Sequence, residues 1–164
     1  MTNSMGLERI KVKKGQILQH KGELHTKVYQ VESGLLSSYT LDEKGRRHTF
    51  MFAPENWMIA DLVHPTEPAE LFIDALEESE VIILEKDPEI SVAGKHQLKN
   101  RMLVYQQRII MLMSTKAIER YEHFAKTYPE IIQRVPQRII ASYLGITPEA
   151  LSKVKGERNK KNKS

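Results

Sequence analysis

The sequence predicts an α+β protein: an N-terminal double-stranded β-helix or jelly roll, a long dimerisation helix, and a C-terminal helical unit containing a helix-turn-helix. Three observations predict it. Gly15, Gly22, Gly34 and Gly45 punctuate short β-prone runs at separations of 7, 12 and 11 residues. Leu98, Met102, Tyr105, Ile109 and Leu112 then advance by 4, 3, 4 and 3, the a/d spacing of a two-stranded coiled coil. Finally, residues 137–156 carry apolar residues at three- and four-residue spacing on both sides of one glycine.

In chain order, Val28–Val31, Leu35–Thr40 and His48–Phe52 are rich in β-branched and aromatic residues and read as strands. Evenly spaced short strands suit a barrel or jelly roll. Asp42-Glu-Lys-Gly-Arg46 reads as a hairpin tip, and Glu77-Glu-Ser79 as another, joining Phe72–Leu76 to Val81–Leu84. Asp87-Pro88 is a helix-start signal, an N-cap candidate followed by proline in the first turn. The helix it opens carries the coiled-coil seam and, beside it, a second apolar row of Leu103, Ile110 and Met111. A helix with two apolar flanks suits a spine that also dimerises; the alternative is a monomer whose seam packs on its own domains. Ser114-Thr115 interrupts, Lys116 to Tyr128 resumes helical spacing, and Pro129 ends it by forcing Tyr128 out of the α region. Ile131, Ile132 and Val135 are core candidates for the last unit, and the polar stretch Lys155–Ser164 reads as a tail disordered without a partner. The expected division is 1–86, 87–113 and 114–164.

Within residues 137–156, Ile140, Leu144, Leu151 and Val154 give each helix a buried face. Ala141 is small enough to let the second helix approach. Gly145 suits a left-handed helix stop, Ile146 plugs the corner, Thr147 can cap the next helix, and Pro148 fits its first turn. Such a hairpin can be purely structural. Charge points to DNA instead: residues 134–164 hold 8 Lys/Arg against 2 Glu, a net of +6 in a chain of net +4. Cations gathered beside a two-helix motif are the footprint of a phosphate-binding surface.

The 164 residues suffice for two small domains, and 40% hydrophobic content supports a core. Zero cysteines exclude disulfides, thiolate zinc sites, cysteine nucleophiles and cysteine-ligated clusters. With no long apolar run and no signal-peptide pattern, the chain is expected in the cytoplasm, away from membranes.

The β-roll, the dimer helix and the helix-turn-helix, in that order, resemble the Crp/Fnr family of bacterial transcription regulators. Lys13-Lys-Gly-Gln-Ile-Leu and Tyr29-Gln-Val-Glu-Ser-Gly-Leu-Leu look like the opening strands of its cyclic-nucleotide-binding-like roll. Tyr128 to Pro136 through Leu144-Gly-Ile-Thr-Pro-Glu149 looks like a branch common in Bacteroidetes-type genomes. The resemblance implies a homodimer that places Thr147–Lys155 of each subunit in successive major grooves of a two-fold-symmetric operator, with RNA polymerase a further candidate partner. Glu149 falls where the family has a glutamate suited to accept from cytosine N4, and Lys153 where many members read guanine with arginine. Pro148 replaces a residue often basic, Lys153 lacks the guanidinium fork, and Ser152 shares their side. Glu149 equally suits the helix dipole. Lys155 closes the recognition stretch, and Arg158, Lys160, Lys161 and Lys163 either replace the phosphate contacts of the family's β-hairpin wing or form a solubilising tail.

In ligand-binding members a Phe-Gly-Glu segment is followed about ten residues on by an arginine that holds a cyclic phosphate. Here Trp57-Met-Ile-Ala-Asp61 stands in its place, with Ala60 for glycine and Asp61 for glutamate. Residues 61–75 contain neither Lys nor Arg, and Glu67 and Glu70 would repel a phosphodiester. Cyclic AMP is therefore not the expected effector. Either an unknown small molecule uses Trp57, Ala60, Asp61 and Glu70, or the roll is a scaffold, and no cofactor is expected. Two other classes stand as alternatives: a cupin-like metal-dependent enzyme, for which His20, His25, His48 and His64 lack ligand spacing, and a DNA-free interaction module. No catalytic grouping is present.

Overall fold

The computed structural model of the protein describes residues 8–86, 102–103, 105–113 and 116–161. The chain divides into two compact units, Met1–Pro88 and Glu89–Ser164. The helix start at Asp87-Pro88, Leu98, the break at Ser114-Thr115 and Lys163 lie outside the described residues.

The first unit is a sandwich of two antiparallel sheets. Its strands are β1 (Glu8–Val12), β2 (Ile17–Gln19), β3 (Val28–Ser33), β4 (Leu36–Leu41), β5 (Arg47–Ala53), β6 (Met58–Ile59), β7 (Phe72–Ala75) and β8 (Ser79–Leu84). One sheet runs β1-β8-β3-β6 and the other β2-β7-β4-β5. Most connections therefore cross between the sheets, the topology of a jelly roll. Inward residues of both sheets make one core: Val12, Tyr29, Val31, Leu36, Ala53, Ile59, Ile73, Ala75 and Val81. Removing such side chains from water is the main favourable term for the unit, at roughly 25 cal/mol per Å² of apolar surface.

The hairpin expected at Asp42–Arg46 is present. Leu41 faces Arg47 across β4 and β5. The Asp42 carboxylate accepts the backbone N–H groups of Lys44 and Arg46, both at 2.9 Å, and Gly45 supplies a φ of 72°. Those bonds, the Arg46 backbone N–H foremost, hold its carboxyl well below the usual carboxylate range.

The second expected hairpin is not one. β7 pairs with β2 and β4, whereas β8 pairs with β1 and β3, so Glu77–Ser79 carries the chain from one sheet to the other. It runs beside the β3–β4 corner: the Leu35 N–H donates to Ser79 Oγ at 3.1 Å, and the Leu76 N–H to the Leu35 carbonyl at 2.8 Å. Gly34, at φ 92°, makes this approach possible, because a Cβ there would collide with the Ser79 hydroxyl and the Glu78 carbonyl.

The second unit is helical. A helix covering the described residues 102–103 and 105–113 (α1) precedes α2 (Ala117–Thr127), α3 (Gln137–Leu144) and α4 (Pro148–Lys161). The Lys116 N–H bonds the Glu119 carboxylate at the start of α2, and Tyr128 ends that helix as the following proline requires. Phe124, Ile131, Ile140, Leu144 and Leu151 are fully buried, with Tyr121, Tyr128, Val135 and Val154 around them. Ile131 and Val135 thus join the core as expected, and Ile132 is half-buried.

The disordered tail expected from Lys155 is corrected through Lys161. α4 passes through Gly156, and the Arg158 guanidinium lies 5.5 Å from the centre of the Tyr121 ring on α2. Propagating a helix already nucleated needs only one hydrogen bond per residue, so a polar stretch continues it.

Candidate nucleic-acid interface

The corner between α3 and α4 forms as its residues dictate. Gly145 adopts φ 65°, ψ 34°, and its N–H reaches the Ser142 carbonyl at 3.3 Å while the Ile146 N–H reaches that of Ala141 at 3.0 Å. This six-to-one and five-to-two pair is a Schellman stop. Thr147 Oγ1 then accepts the Ala150 N–H at 3.2 Å, and Pro148 opens α4 at no hydrogen-bonding cost. Ala141 is 1% exposed, so the methyl of that residue is all the packing there admits.

α4 has two sides. Leu151 and Val154 are buried, which turns the opposite side outward: Thr147, Pro148, Glu149, Ser152 and Lys153 are all exposed, and Lys155 is half-buried. Glu149 lies in the first turn, where the positive end of the helix dipole favours a carboxylate. Lys153 stands one turn further along. Arg158 is half-buried, its guanidinium over Tyr121.

Residues that sequence reading did not single out hold the corner from behind. Arg108 of α1 donates to the Tyr143 carbonyl at 3.2 Å, and Arg120 of α2 donates to the carbonyls of Leu144 at 3.1 Å and Leu112 at 2.8 Å. Tyr143 and Leu144 close α3, where the last carbonyls of a helix draw donors from outside it. A lone arginine in a helical stretch leaves no sequence signal for such a role.

On α1, Met102 and Ile109 of the expected seam are exposed in the single chain, at 63% and 57%, while Tyr105 and Leu112 are half-buried. In the second row Leu103 and Ile110 are exposed and Met111 is buried.

In the roll, the segment expected to hold a ligand is organised by Asp61. This residue is 4% exposed; its Oδ2 accepts the backbone N–H groups of Glu70 and Leu71, each at 2.7 Å, and its Oδ1 that of Val63 at 3.2 Å. The carboxylate closes the 61–71 loop on itself. Nearby, the Lys86 ammonium donates to Thr26 Oγ1 and to the Val63 carbonyl; burial pulls it below its ordinary value and the Asp61 charge opposes that. Trp57 is 39% exposed, Ala60 half-buried and Glu70 exposed. Among the described residues no three His, Asp or Glu side chains converge as a metal site, and no helix is long and apolar enough to cross a membrane.

The first unit is thus a jelly-roll sandwich, and the second a helix-turn-helix whose last helix exposes Glu149, Ser152 and Lys153. The sequence profile of the cyclic nucleotide-binding domain matches residues 9–91. Over 95% of its length the chain is 28% identical to the fumarate and nitrate reduction regulatory protein of Yersinia pestis, of which it covers 71%. The structure of FixK2 from Bradyrhizobium japonicum superposes with a TM-score of 0.78 at 20% identity, covering 95% of this chain and 86% of that one. A transcriptional regulator of the CRP/FNR family from Thermus thermophilus superposes at 0.79 with 17% identity, covering 94% and 87%. The chain belongs to the cyclic nucleotide-binding domain family, and its likeness over nearly its whole length is to regulators of the Crp/Fnr type.

Proposed function

We propose that the protein regulates transcription as a homodimer, placing the N-terminal half of α4 from each subunit in successive major grooves of a two-fold-symmetric operator, without control by cyclic AMP or cyclic GMP. The observation that carries this reading is the outward side of α4. Glu149, Ser152 and Lys153 are exposed over a buried Leu151 and Val154, one turn beyond a helix stop that fixes their direction. A short polar side chain, a carboxylate and a cation can reach base edges, while Lys155 and the basic end of α4 supply phosphate contacts.

The exposed Met102 and Ile109 support pairing of α1 with a second copy. Absence of Lys and Arg from residues 61–75, with Asp61 already bonded to the loop amides that an anion would need, supports independence from cyclic nucleotides. A roll carrying an uncharged or cationic effector, RNA polymerase contact and a cytoplasmic setting complete the reading.

Selection of bound duplexes from random DNA by the purified protein tests it directly. The expected product is a two-fold-symmetric site, with affinity falling as log salt rises by about 0.9 per phosphate contact. Lys153→Ala should weaken that site by about 1–3 kcal/mol and random DNA much less. Binding that is indifferent to salt, or enrichment of no sequence, would refute the proposal.

A further inference from the structure

The carbonyls at the end of α3 are held by two arginines from two different helices, and the recognition surface begins three residues later. Arg120 is the central piece. Its Nη1 donates to the Leu144 carbonyl and its Nη2 to the Leu112 carbonyl, so one rigid guanidinium ties the last residue of α3 to α1. Arg108 adds a second tie, from α1 to the Tyr143 carbonyl, with its guanidinium 4.1 Å from the centre of the Tyr143 ring. Cations are favoured at helix C-termini, and the planar fork alone can serve two carbonyls at a fixed angle. Directly beyond them Gly145 lies against the same groups: an added Cβ would stand at ordinary contact distance, 3.5 Å from Leu112 Cδ2 and 3.6 Å from Arg120 Nη1. Because the Schellman stop and the Thr147 cap leave no slack between Leu144 and Pro148, α4 cannot tilt against α1 without breaking these bonds.

We propose that Arg108 and Arg120 are positioning residues that fix the angle of α4 to α1, and so set the base-pair spacing at which the dimer reads its two half-sites; this rests on the dimeric reading above. The angle within each subunit, multiplied by the two-fold axis, becomes the distance between recognition helices. Half-sites one helical turn apart tolerate little error in it.

Two measurements on the full chain test this. The absence of cysteine allows spin labels to be placed cleanly at Gln107→Cys on α1 and Glu157→Cys on α4, with labelled chain diluted in unlabelled chain. The distance distribution should be narrow in the parent and should broaden in Arg120→Ala, with Arg120→Lys intermediate and Arg108→Ala broadened less. In parallel, each protein is titrated with the selected operator and with versions lengthened or shortened by one base pair. The parent should discriminate against the altered spacings by about tenfold or more, Arg120→Ala by less than about threefold, and Arg120→Lys should regain part of the difference, all at unchanged affinity for a single half-site.

A distribution as narrow in Arg120→Ala as in the parent would overturn the proposal. So would an equal loss of affinity at every spacing, which is the mark of mere destabilisation. If the parent binds no two-fold site at all while Arg120→Ala still broadens the distribution, the operator reading falls and the tie between the helices stands.

Discussion

The Asp61 carboxylate gathers backbone N–H groups from both ends of the segment 61–71, with two of them on one oxygen at 2.7 Å. Charge-assisted bonds of that length to buried donors are among the strongest a side chain makes. Asp61→Ala would leave those donors unsatisfied, and we expect it to lower stability by about 2–4 kcal/mol, read from the midpoint of urea unfolding. Asp61→Asn should cost less, since its one oxygen can still accept. An unchanged midpoint for the alanine variant would mean that water replaces the carboxylate. None of this role was legible in the sequence, because the partners are main-chain groups of Glu70 and Leu71 and carry no side-chain signature. Gly145 and Thr147 were legible for the opposite reason, since each serves a bond to a residue three positions away, and Pro148 because the first helical turn needs no N–H from it.

Elements divide along the same line. The β4–β5 hairpin and the α3–α4 corner follow from local chemistry, and both form where the sequence places them. Glu77–Ser79 has the same turn-like composition as Asp42–Arg46 yet joins two sheets. What distinguishes them is pairing with β1 and β3 on one side and β2 and β4 on the other, information that lies some 40 to 70 residues away along the chain. α4 outran its expected end because composition alone does not report Tyr121 beneath Arg158. At this scale Gly145 offers the sharpest test. Its φ of 65° costs an alanine about 1–2 kcal/mol while the neighbouring Leu112 stays at ordinary contact distance. Gly145→Ala should therefore lower the melting temperature by several degrees yet leave the helical circular dichroism signal in place; a larger loss would show that the corner also fails sterically.

For the whole molecule, the exposed apolar side of α1 and the closed 61–71 loop make separate statements. If α1 pairs with a second copy as proposed, Ile109→Asp would bring two uncompensated carboxylates together in an apolar seam, at a cost of several kcal/mol, and should yield monomers in sedimentation with loss of operator binding. An intact dimer would move the interface off Ile109. Cyclic AMP and cyclic GMP, at millimolar concentration, should leave the melting temperature unchanged. A ligand of the folded state present at a hundred times its Kd would add about 2.7 kcal/mol, a shift easily seen. A saturable rise would show that a cation outside 61–75 anchors the phosphate.

The pairing of β1 with β8 joins the first described strand of the roll to the last, and the Gly34 corner meets Ser79 only once β8 has begun. Loop closure over such a separation is entropically slow, so this sheet assembles late, whereas the helical unit folds through contacts close in sequence. During synthesis this sheet must wait for residue 84 to clear the ribosome before β8 can join β1 to β3. A chain cut short ahead of that strand would expose the flanks of β1 and β3 to one another and to its neighbours, with aggregation as the outcome.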